Sequence, residues 1–251
     1  RRATISLEAG HWFVALMVET DDVQPVEQPS PVVGVDLGVS VLATLSTGET
    51  ITGPKSHAKA LKRLRRANKA LARKRRGSAN FRKAKRRLAR LHARITNIRR
   101  DATHKLTTRL TKTFGAIGIE DLNVKGMAAN RSLARSIMDG GFFEMRRQLT
   151  YKARMYGAQL VVADRWFPSS KTCSCCGVVK PTLALSQRAF SCDACGFVAD
   201  RDHNAACNLE RIAASSAATA CGAERSDVKR KPRVKRAATK QEENTALPEA
   251  A

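Results

Sequence analysis

Val32-Val33-Gly34-Val35-Asp36-Leu37-Gly38 is the stretch on which the fold turns. Its β-branched, apolar residues predict a short strand, and one acid stands inside it. Side chains alternate along a strand, so Asp36 points with Val32 and Gly34. A carboxylate on a buried strand is costly unless it is paired or holds a metal. The plainer alternative is an acid kept in water at a strand edge, or at the turn before Gly38.

Outward from this strand the chain alternates between strand and helix patterns. A second strand is expected over 40–45, with a turn at Ser46-Thr47-Gly48-Glu49. Upstream, Thr4-Ile5-Ser6-Leu7 alternates and Trp12 to Val18 is β-rich, so residues 1–30 predict a β-hairpin followed by an acidic, Pro-bearing linker over 21–31. The sequence opens on this run with no initiator methionine, and an N-terminal part is expected to be missing. Downstream, residues 55–112 switch to helical period, and Gly77-Ser78 divides them into an antiparallel helical hairpin. Leu88, Leu91, Ile95 and Ile98 predict one narrow buried stripe on its second helix. Ala116-Ile117-Gly118-Ile119-Glu120 predicts a strand ending in an acid; residues 131–156 have a helical pattern ending at Gly157, and Gln159 to Ala163 predicts a further strand. Asp202 opens a short helix running through Asn208 and Ile212. From residue 223 the chain is basic, then rich in Ala and Glu, and reads as a disordered tail.

The chain has 251 residues, enough for one large or two small domains with a core. Lys and Arg number 46 against 22 Asp and Glu, a formal net charge of +24. Such a charge repels itself and is ordinarily neutralised by a polyanion, of which nucleic acid is the first candidate. No apolar run approaches the roughly 18–20 residues needed to span a bilayer, and no signal segment opens the chain. A soluble, intracellular protein with no membrane partner is therefore expected.

Four of the seven cysteines fall in two repeats of one pattern. Cys173-Ser174-Cys175-Cys176-Gly177 is followed, after a 15-residue spacer, by Cys192-Asp193-Ala194-Cys195-Gly196. Each C-x-x-C-G forms a knuckle whose two thiolates grip one side of an ion, and two knuckles close a four-thiolate structural zinc site at Cys173, Cys176, Cys192 and Cys195. The repeated register favours Cys176 over Cys175, and Cys175, Cys207 and Cys221 are left unligated. A closed site of this kind leaves no room for catalysis at the zinc. Free buried thiols are the competing reading.

Asp36, Glu120 and Asp202 acquire meaning together. Glu120 closes an apolar strand, where an acid is often just a surface residue, and Asp202 precedes a helix, where Asp is often just a cap. Two strand-end acids and one helix-start acid can, however, converge at one sheet edge and hold Mg²⁺ or Mn²⁺ for phosphodiester cleavage. Asp200 is a rival to Asp202.

The same residues resemble a known family. Val33-Gly34-Val35-Asp36-Leu37-Gly38 resembles the first RuvC motif of TnpB, also called OrfB, an accessory protein of bacterial insertion sequences. Ile119-Glu120-Asp121-Leu122-Asn123-Val124-Lys125-Gly126-Met127 resembles the second, and Asp200-Arg201-Asp202-His203-Asn204-Ala205-Ala206-Cys207-Asn208 the third. Ser169-Ser170-Lys171-Thr172-Cys173 resembles the lead into the family's zinc ribbon. The resemblance runs over roughly residues 3–212. It implies an α/β, RNase H-like (RuvC) mixed sheet with an inserted basic helical hairpin and a four-cysteine zinc ribbon. It also implies catalytic acids at Asp36, Glu120 and Asp202, a guide RNA from the transposon end, DNA as substrate, and kinship with type V CRISPR effectors. On that plan residues 1–30 are a β-barrel remnant and linker, 31–171 the nuclease domain with the hairpin at 55–112, 172–199 the ribbon, 200–222 the last motif and helix, and 223–251 the tail.

The hairpin holds 23 of the Lys and Arg residues against one acid, Asp101. Uncompensated repulsion along a helix disfavours a merely solvated face, so nucleic-acid contact is expected, with Arg73, Lys74, Arg75, Arg76, Arg86 and Arg87 as candidates. Aromatics are nearly absent from it, which favours phosphate contacts over base stacking. Two other readings fit the residues: a truncated, non-catalytic zinc-ribbon nucleic-acid-binding protein, and a structure-selective nuclease working without a guide.

Overall fold

The structure, a computed structural model, describes residues 2–19, 31–184 and 186–222, with side chains described as far as residue 217. The tail at 223–251 and all but the last residue of the linker at 21–31 lie outside the described residues.

The chain opens with an antiparallel hairpin, β1 (Ala3–Glu8) and β2 (His11–Leu16), turning through Ala9 and Gly10, both at positive φ. Next come β3 (Val32–Asp36), β4 (Ala43–Leu45) and β5 (Thr50–Ile51), with β4 antiparallel to β3 and β5 antiparallel to β4. The strand expected over 40–45 begins only at Ala43, because residues 38–42 fold back on themselves: the Gly38 N–H donates to the Leu42 carbonyl at 3.3 Å. Two helices follow, α1 (Ser56–Ala72) and α2 (Ala79–Thr113). They break where the sequence indicates, with Gly77 at φ 82° and the Ser78 hydroxyl accepting the Phe81 N–H at 3.1 Å. α1 lacks a side-chain cap of its own. Asp139, far along the chain, supplies one, accepting from the Ser56 hydroxyl (3.0 Å) and the His57 N–H (3.1 Å).

Then come β6 (Ala116–Glu120), α3 (Val124–Ala129), α4 (Ala134–Gly140), α5 (Phe142–Tyr156) and β7 (Gln159–Ala163). The helical pattern over 131–156 is shared by two helices rather than one. Gly141 at φ 68° turns the chain between α4 and α5, and Gly157 at φ 76° ends α5. β8 (Ala189–Ser191) and β9 (Val198–Asp200) pair beside the cysteines, and α6 (Arg201–Gly222) is longer than the short helix expected.

The central sheet has the order β5-β4-β3-β6-β7, with β3, β6 and β7 mutually parallel, so it is mixed. Val33, Val35, Ile117 and Ile119 form one core with Leu106 and Leu110 of α2 and Met145 and Leu149 of α5. Each such side chain contributes about 1.5–3 kcal/mol on burial. The other face is nearly bare at its centre. Gly34 and Gly118 are register partners there, and a Cβ on Gly34 would lie 1.8 Å from the Ala206 carbonyl oxygen, one on Gly118 2.3 Å from that of Leu209. Those two glycines let the backbone of α6 lie directly on β3 and β6.

The stripe expected on α2 is displaced. Ile95 is buried, but Leu88 and Leu91 are half-buried and Ile98 is 42% exposed. The first half of α2 lies along α1 and reaches the β1–β2 turn, where Arg90 Nε donates to the Ala9 carbonyl at 3.4 Å, whereas the second half enters the core through Leu106, Leu110 and a polar row, Thr103, Thr107 and Thr111. Those threonines are buried because their hydroxyls return to the carbonyls one turn back: Thr107 to Thr103 and Thr111 to Thr107, both at 2.8 Å. No helix among the described residues is long and apolar enough to cross a membrane.

Candidate carboxylate site and cysteine cluster

β3 and β6 run parallel with Val35 opposite Ile119, so Asp36 and Glu120 finish neighbouring strands at the same end. Both follow the glycine face by alternation, Asp36 after Gly34 and Glu120 after Gly118, and that is the face on which α6 lies. α6 begins at this end and carries Asp202 in its first turn. The three acids expected from the sequence are thus brought to one edge by three separate elements.

The electrostatics show how close they are. Burial pushes the Asp36 carboxyl up to about 8, and the charges of Glu120 and then Asp202 push in the same direction; the Arg201 guanidinium pulls against them. Glu120 accepts the hydroxyl of Ser169 on Oε1. Asp202 Oδ1 accepts from Nε and Nη2 of Arg201, each at 3.3 Å. Asp200 is engaged differently: its exposed Oδ1 accepts the N–H groups of Asp202 (2.9 Å) and His203 (3.1 Å), capping α6. The capping role that the sequence offers to Asp202 is therefore filled by Asp200. The carboxylates are hard oxygen donors at one end of the sheet whose charges act on Asp36, a donor set whose chemistry fits Mg²⁺ or Mn²⁺. They are less tightly drawn in than the cysteines, whose sulfurs alone among the described His, Cys, Asp and Glu ligand atoms gather, four together, within 4.8 Å.

That cluster is Cys173, Cys176, Cys192 and Cys195. Cys173 Sγ lies 3.7 Å from Cys195 Sγ, and Cys176 Sγ 3.6 Å from Cys192 Sγ. A tetrahedron with Zn–S near ~2.3 Å has edges of about 3.8 Å, so the four sulfurs fit one zinc ion. Gly177 (φ 81°) and Gly196 (φ 72°) make the knuckle turns. The Cys195 N–H holds the Cys192 thiol down, to about 7, against burial. Cys175 is exposed and outside the cluster, and Cys207 sits half-buried 3.8 Å from His203 Nε2. The side chain of Cys221 lies outside the described residues.

The basic candidates sit apart from the acids. Arg73, Lys74, Arg75 and Arg76 form the exposed tip between α1 and α2, and Arg86 and Arg87 are exposed on α2. Lys74 and Arg87 also line a groove of 770 Å³ between the two helices, which Arg63, Arg66, Lys83, Arg90 and Arg94 complete over an Ala and Leu floor. A second cleft, of 590 Å³, opens beside Glu120 and is lined in part by Phe143, Arg146, Tyr151 and Arg165. Asp121 holds Arg146 and, at 2.7 Å, Arg165. Nothing in the residue pattern alone singles out these arginines, nor Ser169, Arg201, Asn204 or Asn208. Ser169, Arg201 and the two asparagines stand inside stretches quoted for the family resemblance, but only the folded contacts give them partners.

Comparison with known proteins gives matches over most of the chain. The profile of the family described as "Probable transposase" (OrfB_IS605) matches residues 15–131, and that of the "Cas12f1-like, TNB domain" matches residues 142–209. A Streptomyces pristinaespiralis protein named "Putative RNA-guided DNA endonuclease" is 47% identical over 95% of this chain. Escherichia coli K12 has one named "Putative RNA-guided DNA endonuclease InsQ", 38% identical over 88% of it. The chain spans 58% of the length of each of these relatives. In three dimensions the chain is similar to Cas12f1 in a cryo-EM complex with sgRNA and target DNA, with a TM-score of 0.51, 17% identity, and coverage of 82% of this chain and 55% of that one. That likeness is one of fold: α/β and RNase H-like, with a mixed sheet. By its motifs, its profile matches and its relatives, the chain belongs to the TnpB/OrfB family of insertion-sequence proteins.

Proposed function

We propose that this chain carries the cleavage centre of a transposon-encoded, RNA-guided DNA endonuclease, with Asp36, Glu120 and Asp202 as ligands of divalent cations. The observation that carries the reading is their convergence from β3, β6 and α6, with the Asp36 carboxyl raised to about 8 by burial and by the other two acids. A buried carboxylate under such repulsion is relieved by a bound cation. The names of the relatives support the DNA substrate and the guide.

Asp36, Glu120 and Asp202 would hold Mg²⁺ or Mn²⁺, which would supply an activated water and stabilise the leaving oxygen of the phosphodiester. The chain's own residues do the rest. Asp36 carries a proton at neutral pH when no cation is bound, and on binding a cation it would release that proton to solvent. Arg201 holds the Asp202 carboxylate at the head of α6. Arg146 and Arg165, fixed by Asp121, bind backbone phosphates beside Glu120. The groove between α1 and α2 takes a further run of phosphates, of the guide RNA or the DNA. Cys173, Cys176, Cys192 and Cys195 hold one structural zinc and take no part in the chemistry.

The test is cleavage of DNA in Mg²⁺ or Mn²⁺ with co-purified RNA. Asp36→Ala, Glu120→Ala and Asp202→Ala are each expected to lower cleavage by at least about 10³-fold, as members of a unit do, and to leave DNA binding intact. Asp200→Ala is expected to retain cleavage. The reverse result for Asp200 and Asp202 assigns the third ligand wrongly. Cleavage unaffected by all three removes the centre, leaving a non-catalytic binding protein. Cleavage with no RNA present indicates a nuclease without a guide.

A further inference from the structure

Residues 168–174 join two of the three acids. Ser169 is 4% exposed, and its hydroxyl donates to Glu120 Oε1 at the end of β6. Its carbonyl accepts from Asn208 Nδ2 at 2.8 Å, and the same amide reaches the Thr172 carbonyl at 2.7 Å. Asn204, one turn earlier on α6, donates to Thr172 O at 2.8 Å and accepts the Ser174 N–H at 2.9 Å. Both asparagines are buried, at 0% and 2% exposed. They follow Asp202 by two and six residues on the same helix. The strap is itself folded tightly, with the Lys171 and Thr172 N–H groups and the Thr172 hydroxyl all donating to the Pro168 carbonyl. Cys173 lies within it.

A fold that only needed to anchor the cysteine region could do so through the asparagines. The Ser169 hydroxyl serves a different end. Glu120 faces two other acids, and repulsion favours a side chain swung out into water. A neutral donor holds one carboxylate oxygen without cancelling its charge, which leaves the other free for a cation. An arginine in its place would consume the charge the site needs.

We infer that Ser169 is a positioning residue for Glu120, and that Asn204 and Asn208 fasten it to α6, so that residues 168–174 set the spacing of the Glu120 and Asp202 carboxylates. The inference rests on the reading of those acids as divalent-cation ligands.

The test is titration of the full chain with Mn²⁺, followed by electron paramagnetic resonance, with zinc content and thermal melting recorded alongside. Ser169→Ala is expected to weaken Mn²⁺ binding by about 10–100-fold, the usual effect of losing a partner that orients a ligand, with one zinc retained per chain. Ser169→Thr keeps the hydroxyl and is expected to restore binding to near the wild-type value. A change that only disturbed packing would move melting and zinc content as well, and Thr would not reverse it. Asp36→Asn serves as the reference and is expected to abolish the site. If Asp36→Asn loses Mn²⁺ while Ser169→Ala binds as the wild type does, the inference about Ser169 is wrong and the site stands. If Asp36→Asn binds Mn²⁺ undiminished, the reading of the acids fails and the inference with it. Should Ser169→Ala lose zinc, Ser169→Cys carries the same test: its weak S–H donor is expected to give lowered affinity, and wild-type affinity overturns the proposal.

Discussion

Asp36 is a residue that folding alone works against. Its carboxyl rises from 3.8 to about 8 on folding, so between those values the folded chain holds a proton that the unfolded chain has released. The corresponding stability is fully present below pH 3.8 and lost as pH rises through about 8. Asp36→Asn removes this ionisation. In a chelator its melting temperature is expected to exceed that of the wild type by a margin that grows from about pH 4 to about pH 8 and then levels, corresponding to a stability difference on the order of 6 kcal/mol at most. Added Mn²⁺ is expected to reverse the order, since only the wild type gains. Thermal melts across this range decide it; a pH-independent difference would mean that Asp36 is solvated. That Asp36 was costly is legible in the sequence, from one acid in a row of valines. What surrounds it is not: Ser169, 49 positions from Glu120, and Arg201 show their roles only through folding.

Elements whose boundaries depend on neighbouring residues were legible, and those whose packing depends on distant ones were not. Ser78 caps the start of α2 and Gly157 ends α5, each by a signal within the same few residues, whereas α1 stops at Ala72, before Gly77. The buried threonine row on α2 reads as polar in sequence and packs because each hydroxyl finds a carbonyl one turn back. The start of α1 falls within one residue of the switch expected at 55, but the carboxylate that caps it, Asp139, gives no local signal. The α1–α2 hairpin itself yields a test at this scale. Its tip, Arg73 to Arg76, is exposed and without acids. Each phosphate contact contributes about −0.9 to the log–log salt slope of duplex binding, or about −0.7 on single strands. Replacing Arg73, Lys74, Arg75 and Arg76 with Ala is expected to flatten that slope by about 3–4 units on duplex DNA, with zinc content unchanged. Fluorescence anisotropy at several salt concentrations measures it, and an unchanged slope would place the contacts in the groove farther along the helices.

At the scale of the molecule, a sheet with a glycine bed carries α6, and α6 carries both an acid of the candidate site and the asparagines that reach the cysteine region. The strands that end in Asp36 and Glu120 were legible from their apolar pattern, and the two knuckles from motif spacing. The bed was not, because Gly34 and Gly118 meet only when β3 and β6 pair. One zinc per chain is expected, lost in Cys176→Ser and retained in Cys175→Ser, as measured by metal analysis; equal loss in both would contradict the knuckle register. The central claim is that three elements build one divalent-cation site. Anomalous diffraction from crystals grown with Mn²⁺ tests it most directly. The account requires manganese density bounded by the carboxylates of Asp36, Glu120 and Asp202, with Asp200 still capping α6. Manganese bound at Asp200 instead, or no density among the three acids at saturating Mn²⁺, would contradict it.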